Sequence, residues 1–171
     1  IIIRYDLTNN SGAPINGLYA GVFFDWDMVD GSGADDYTSW DTTGSFGYTY
    51  HIGGNPNTYL GAGLVSQGTP NFRGILNPGG DPGGFSVYDG FSDAEKWQSI
   101  SGGLTKPSAG GGDISHVIAQ GPMNIAPGAT ETFAIAIAAG QNVADLRNEF
   151  TLARSKFNVI LTDAAEEQGV P

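Results

Sequence analysis

Between Thr130 and Leu161 the apolar period of this chain changes once. From Thr130 to Ala139 the period is two: Phe133, Ile135 and Ile137 alternate with Thr132, Ala134 and Ala136, the signature of a core strand with one bulky and one small face. After Gly140 the spacing becomes three and four. Val143, Leu146, Phe150, Ala153, Phe157 and Ile160 draw one stripe along a helix that Asn142 caps and that runs to about Leu161. Asp145 sits in its first turn, where the helix dipole favours a carboxylate. A solitary helix of roughly twenty residues is unstable in water, so the stripe must dock on a sheet. Its burial is worth on the order of 10 kcal/mol gross, before ordering entropy is subtracted.

The rest of the chain supplies that sheet. With 27 Gly, 9 Pro and only 15% charged residues among 171, the composition is that of a turn-rich β protein of one domain. Strand patterning covers 1–8, with Ile1, Ile3, Tyr5 and Leu7 on one face, and 17–26, whose continuous apolar centre predicts burial on both faces. Further strands are expected at 46–52, 59–66, 114–120 and 122–125, with short ones at 72–76 and 85–88 inside long Gly/Pro-rich loops from 53 to 90. Ser92 and Glu95 form a capping box for a short helix over 92–100, and 106–112 reads as a linker. The expected fold is mainly β. It is a single antiparallel β-sandwich domain over 1–171, with a C-terminal amphipathic helix at about 142–161 packed on it and a short acidic tail at 162–171.

Charge and composition remove several classes of function. Eighteen acidic against seven basic residues give a net charge of −11, which disfavours nucleic acid and anionic membranes alike. No apolar run approaches the roughly 18 residues of a membrane span, so membrane insertion is not expected. Without cysteine there is no disulfide, thiolate zinc site or Cys nucleophile. The start at Ile1, with neither Met nor a basic leader, reads as a processed mature protein or a piece of something longer. Low charge, an acidic balance and high Gly, Asn and Thr point to a secreted, extracellular or cell-surface location.

One stretch carries most of the chemistry. Asp25, Asp27, Asp30, Asp35, Asp36 and Asp41 fall within seventeen residues that contain no Lys or Arg. Two carboxylates about 4 Å apart repel by roughly 4 kcal/mol at an effective dielectric of 20, so a bound cation is expected. Oxygen ligands among tight glycine turns suit Ca²⁺, with Asp25 and Asp27 on one strand face as the leading pair. The spacing does not meet that of an EF-hand loop, and the competing reading is a solvated acidic loop.

Catalytic readings are weaker. Glycoside hydrolysis needs two carboxyls across a sugar-sized cleft, and no acid sits in an apolar setting that would raise its pKa. Asp113, Ser115 and His116 lie too close along one strand for a hydrolase triad, and no nucleophile elbow exists. His116 and His51 read as structural histidines bonded to neighbouring loops. Ten of nineteen aromatics fall between Tyr19 and Tyr59, and exposed Trp26, Tyr37 and Trp40 form a candidate sugar-stacking platform.

The segments Tyr5 to Gly12, Tyr19 to Asp27, Phe91 to Trp97 and Gly121 to Leu146 resemble a β-sandwich-plus-helix module found in large secreted proteins of Bacteroidetes-like bacteria. That module often lies beside subtilisin-like peptidase or sorting domains. The resemblance implies a secreted module and brings no catalytic residues with it, because this chain carries no peptidase signature. The expectation is a non-catalytic structural or self-associating surface module, a filament subunit for example, stabilised by Ca²⁺. Ile1, Ile2, Ile3, Tyr5 and Leu7 would pair with the sheet of a neighbour to give a homo-oligomer. The alternative is a carbohydrate-binding accessory module of a secreted enzyme.

Overall fold

The computed structural model describes residues 1–28, 35–52 and 58–167, with backbone alone beyond Leu161. It is mainly antiparallel β in two sheets, with two helices, one of them C-terminal, as expected. The strands are β1 Ile2–Thr8, β2 Ile15–Trp26, β3 Asp36–Asp41, β4 Phe46–His51, β5 Tyr59–Leu64, β6 Pro70–Leu76, β7 Ser108–Gly112, β8 Ile114–Ile125 and β9 Thr130–Gly140. Helix α1 spans Asp93–Ser101 and α2 spans Val143–Glu167. One sheet runs β1-β9-β5-β4-β3-β7, and the other β2-β8-β6.

Side-chain alternation sorts three apolar layers. Phe133 and Ile135 of β9 join Ala62, Leu64, Phe72 and Ile118 between the sheets, with Ile3 and Leu7 of β1 against them. The small face of β9, Ala134 and Ala136, receives α2 through Leu146, Phe150 and Phe157 on the outer side of the six-stranded sheet. Phe150 stacks on Phe46 with centroids 4.4 Å apart. Gly61 and Gly63 on β5 make room for that pair: a Cβ at Gly63 would lie 2.7 Å from Phe46 Cβ, and one at Gly61 2.9 Å from the Phe150 ring. The third layer lies outside the small sheet. There Ile75, Val117 and Ala119 are covered by Ile100 of α1 and by Phe85, Val87 and Phe91.

Both helix starts follow the sequence. Ser92 and Glu95 close a reciprocal capping box on α1, and Asn142 Oδ1 accepts the Asp145 N–H at 3.0 Å at the start of α2. A basic residue off the apolar stripe also ties α2 down. Arg154 donates to the carbonyls of Leu64, Gly44 and Ser45, and burial holds its guanidinium pKa below the usual value.

Several boundaries differ from expectation. The acidic stretch contains a strand, β3, and the 106–112 linker contains another, β7, because each finds a backbone partner: β3 pairs with β4 and β7. The segments 114–120 and 122–125 are one strand, β8, continuous through a cis Gly121-Pro122 bond. Residues 85–88 form no strand and instead lay Phe85 and Val87 on the small sheet. β2 is not buried on both faces. It is an edge strand with Phe23 40% exposed. Helix α2 continues to Glu167 and so takes in 162–167 of the expected tail; residues 168–171 lie outside the described residues.

The two long sides of the sandwich differ. On one side the chain from Gly103 bridges the sheets: Phe72 and Gly74 of β6 donate to the Gly103 and Lys106 carbonyls, Trp40 of β3 donates to Pro107, and β7 follows. On the other side, β1 and β2 are both edges. A groove of about 340 Å³ opens between them, lined by Tyr5, Leu7, Ala20, Gly21, Val22 and Phe133.

Candidate functional site: the acidic pole of the sandwich

Strand directions bring four of the six acidic residues singled out by sequence to one end of the molecule. There Trp26 and Leu76 both pair with Ile114, and Asp36 pairs with His51 and Gly112. The end of β2, the starts of β3 and β8 and the ends of β4, β6 and β7 therefore meet at one pole. They carry Asp25, Asp27, Asp35, Asp36, His51, Asn77 and Asp113.

On the small-sheet side, Asn77 is the hub. Its side-chain amide is buried and donates to Asp25 Oδ1 at 3.0 Å and to Asp113 Oδ1 at 2.9 Å. Ser115, also buried, places its hydroxyl 2.8 Å from Asp25 Oδ1 and 2.7 Å from Asn77 Oδ1. The Tyr88 hydroxyl donates to Asp113 Oδ2. That bond, reinforced by the charges of Asp113, Asp25 and Asp27, pushes the Tyr88 pKa up. Three carboxylates thus act on one phenol, and among the described residues no Lys or Arg forms an ion pair with any of them. Among the described residues, no three His, Asp or Glu side chains converge as a metal-binding group.

The six acidic residues singled out by sequence do not form one group. Asp36 is fully buried on the large-sheet side, 2.8 Å from His51 Nδ1, with its other oxygen accepting the Met28 N–H at 3.1 Å. Asp35 adopts a left-handed backbone (φ 61°), and its carbonyl accepts the Ile52 N–H. Asp41 lies five residues from Asp36, about 17 Å along an extended strand and so at the opposite pole. There Arg147 of α2 grips both of its oxygens at 2.7 and 3.0 Å, and the Gly44 N–H bonds one of them. The Arg147 guanidinium holds the Asp41 carboxyl below the usual carboxylate range. Asp30 lies outside the described residues. The expectation that Asp41 shares a cation with Asp25 is therefore corrected, because its charge is already matched by an arginine 106 residues away. Asn77, Asp113 and Tyr88 were missed because their relation to Asp25 exists only once β6 and β8 pair.

The aromatic platform is also corrected. Trp26 and Trp40 are half-buried and pack between the sheets, Trp26 stacking on Phe24 and Trp40 against Phe72, so they form no common platform with Tyr37. Tyr37 and Trp40 are three residues apart on β3 and so point to opposite faces. Tyr37 instead joins a row on the outer face of the large sheet. It pairs in register with Tyr50, which pairs with Tyr59. The successive centroids are 5.7 and 5.4 Å apart and the planes within 22° and 12°. Burial raises the pKa of Tyr50.

Asp113, Ser115 and His116 do not assemble a triad. Ser115 faces Asp25 and Asn77, whereas His116 points between the sheets, where it is completely buried. Its partners are strand residues, Trp26 and Thr38, not a loop. Burial drives its pKa down to about 3.

No protein-family model matches this chain, and a search of curated proteins returns no match either.

Proposed function

We propose that this chain is a non-catalytic extracellular module of structural or surface type, a filament subunit for example, and that it self-associates by strand addition along the free rim of β1. The observation that supports this reading is the backbone phase of β1. Ile1 and Ile137 are bonded through the Ile137 N–H and the Ile1 carbonyl at 2.8 Å, and Asn9 exchanges bonds with Ala129 and Gly128 at the other end. The register between them is unbroken, Ile2 opposite Ala136 through Thr8 opposite Thr130. In an antiparallel pair such bonded positions alternate, so the odd residues bond β9. The N–H and C=O groups of Ile2, Arg4, Asp6 and Thr8 then face away from the sheet. Beside this rim stand exposed apolar groups, Ile1 at 84% and Tyr5 at 46%. Ile1 to Leu7 is thus already part of its own sheet, and a neighbour would meet only the outer rim.

The role of His116 supports the non-catalytic reading, since both ring nitrogens are used inside the core. Extracellular placement rests on composition and on the resemblance to secreted modules. Ca²⁺ is proposed at the acidic pole, with Asp25 and Asp27 as the leading carboxylates; Asp41 and Asp36 are omitted because Arg147 and His51 occupy them, and Asp113 because Asn77 and Tyr88 hold it.

Sedimentation velocity over a concentration series tests the main reading. Arg4→Pro removes an outward N–H and spares the ladder to β9, because proline is tolerated on edge strands at such positions. The wild-type chain should associate with rising concentration and the variant should remain a monomer. A wild-type chain that stays monomeric throughout ends the proposal. The alternative, carbohydrate binding, is favoured by the Tyr37, Tyr50 and Tyr59 row; a glycan array without hits removes it.

A further inference from the structure

We infer that the partner at this rim is a second copy of the chain, joined β1 to β1 in antiparallel register about a twofold axis that passes through Tyr5. The inference rests on the self-association proposed above and specifies its geometry.

Hydrogen bonding and charge fix the register together. A symmetric antiparallel pairing sets each residue opposite a mate whose number makes a constant sum with its own. Because only the even residues offer groups outward, even must oppose even, and the axis must pass through a residue of β1. Centring on Arg4 opposes two arginines, centring on Asp6 opposes two aspartates, and centring on Ile3 or Leu7 shortens the ladder and gives neither charge an opposite mate. Centring on Tyr5 puts Arg4 of each copy opposite Asp6 of the other, twice, and like charges directly opposed are destabilising where opposite charges are favourable. The same choice sets Ile3 opposite Leu7, Ile2 opposite Thr8 and Tyr5 opposite its own mate. In the single chain Arg4 and Asp6 already bond each other at 2.9 Å, two residues apart on one face. Pairing across the axis lets each exchange this neighbour for a mate of the other copy without leaving a charge unmatched.

The side chains on the inner face agree with this register. Tyr5 stacks on Phe133 at 5.9 Å and lines the mouth of the groove between β1 and β2 together with Leu7, Ala20 and Val22. Tyr5 and its mate would close the two mouths side by side, burying the 46% of Tyr5 that is exposed in the single chain. A dimer made this way is isologous and closes on itself, so any filament must use a second surface as well, such as the β7 rim of the large sheet.

The absence of cysteine makes the test direct, since an introduced thiol has only its mate to react with. In the Tyr5→Cys variant the facing Cα atoms would be about 4.5 Å apart, within disulfide range. In Leu7→Cys the two thiols would be displaced by four residues, about 13 Å, out of range. On oxidation with diamide at about 0.15 M salt, Tyr5→Cys should convert to covalent dimer at least tenfold faster than Leu7→Cys. Charge variants leave the Tyr5 stack untouched and give an independent reading. Arg4→Asp alone and Asp6→Arg alone should each weaken association at least tenfold in sedimentation equilibrium, and the double exchange should return it to within about threefold of wild type. If the wild-type chain associates but Tyr5→Cys does not cross-link and the charge variants associate equally, this register is overturned while self-association stands. If the chain is monomeric, both fail.

Discussion

The indole N–H of Trp26 donates to Nε2 of His116 at 3.2 Å, and this fixes the state of a fully buried imidazole. With Nε2 an acceptor, the ring proton must sit on Nδ1, 2.9 Å from Thr38 Oγ1. The Thr38 hydroxyl in turn donates to the Tyr48 carbonyl. A relay from β2 through β8 to β3 and β4 thus ties the two sheets through one neutral side chain. Protonating Nε2 would break the Trp26 bond and bury a charge.

That relay has a pH signature. The folded pKa of His116 is about 3, against 6.5 for a free imidazole, so below pH 6.5 the unfolded chain binds a proton that the folded chain refuses. Stability is therefore fully present above pH 6.5 and falls as pH drops towards 3, at up to roughly 1.4 kcal/mol per pH unit for one proton. Asp6, Asp41 and Glu95, whose pKa values are lowered, add their own losses as pH falls through their ordinary values of 3.8 and 4.5. Between pH 4.5 and 6 the slope should belong largely to His116. Denaturant melts across that window should steepen in this way for the wild type, and His116→Gln should flatten the slope by about one proton.

The docking of α2 predicts two large effects of opposite origin. Phe150 is fully buried and stacked on Phe46, so Phe150→Ala should cost about 3 to 5 kcal/mol through lost burial and a cavity. Gly63→Ala adds a methyl 2.7 Å from Phe46 Cβ and should cost about 1 to 3 kcal/mol through overpacking. Urea melts measure both. A neutral Gly63→Ala would show that Phe46 of β4 and the Phe150 ring can shift at no cost.

Arg147 and Asp41 form a two-toothed pair, with Asp41 sheltered and Arg147 43% exposed. The exposure of Arg147 limits what the pair is worth, so Arg147→Ala should cost far less stability in urea melts than Phe150→Ala. The variant should also raise the Asp41 pKa, since the arginine is its main depressant. The carboxyl signal of Asp41 in an NMR titration reports this directly.

For calcium, the acidic pole and the opposite pole give different expectations. A thermal melt with Ca²⁺ at one hundred times its dissociation constant should gain about 2.7 kcal/mol over the chelated chain. Asp27→Asn should abolish the gain and Asp41→Asn should leave it intact. An unchanged midpoint for the wild type would remove calcium from the account.

What could be read from sequence follows the range of the forces involved. The start of α2, the capping box of α1 and the alternation of β1 and β9 were legible because each is written within a few residues. β3 was hidden in the acidic stretch because its carboxylates are matched by His51 and Arg147, 15 and 106 residues away. β7 was hidden because three glycines in five residues argue against a strand. Pairing with β3 overrides that propensity, and Gly110 lies so close beneath the Tyr37 ring that a Cβ would meet it at 2.2 Å. That Asp25 and Asp27 sit where a core strand ends was legible in the apolar run before them. Their partners Asn77, Asp113 and Tyr88 could not be read, since they come from strand pairings that no local pattern encodes.

Amide hydrogen exchange along β1 tests the central claim most directly. In dilute solution the amides of Ile3, Tyr5 and Leu7, bonded to β9, should be protected and those of Arg4 and Asp6 should exchange freely. At high concentration Arg4 and Asp6 should gain at least tenfold protection while their odd neighbours change little. Arg4 and Asp6 amides that exchange equally fast at every concentration would contradict self-association through this edge.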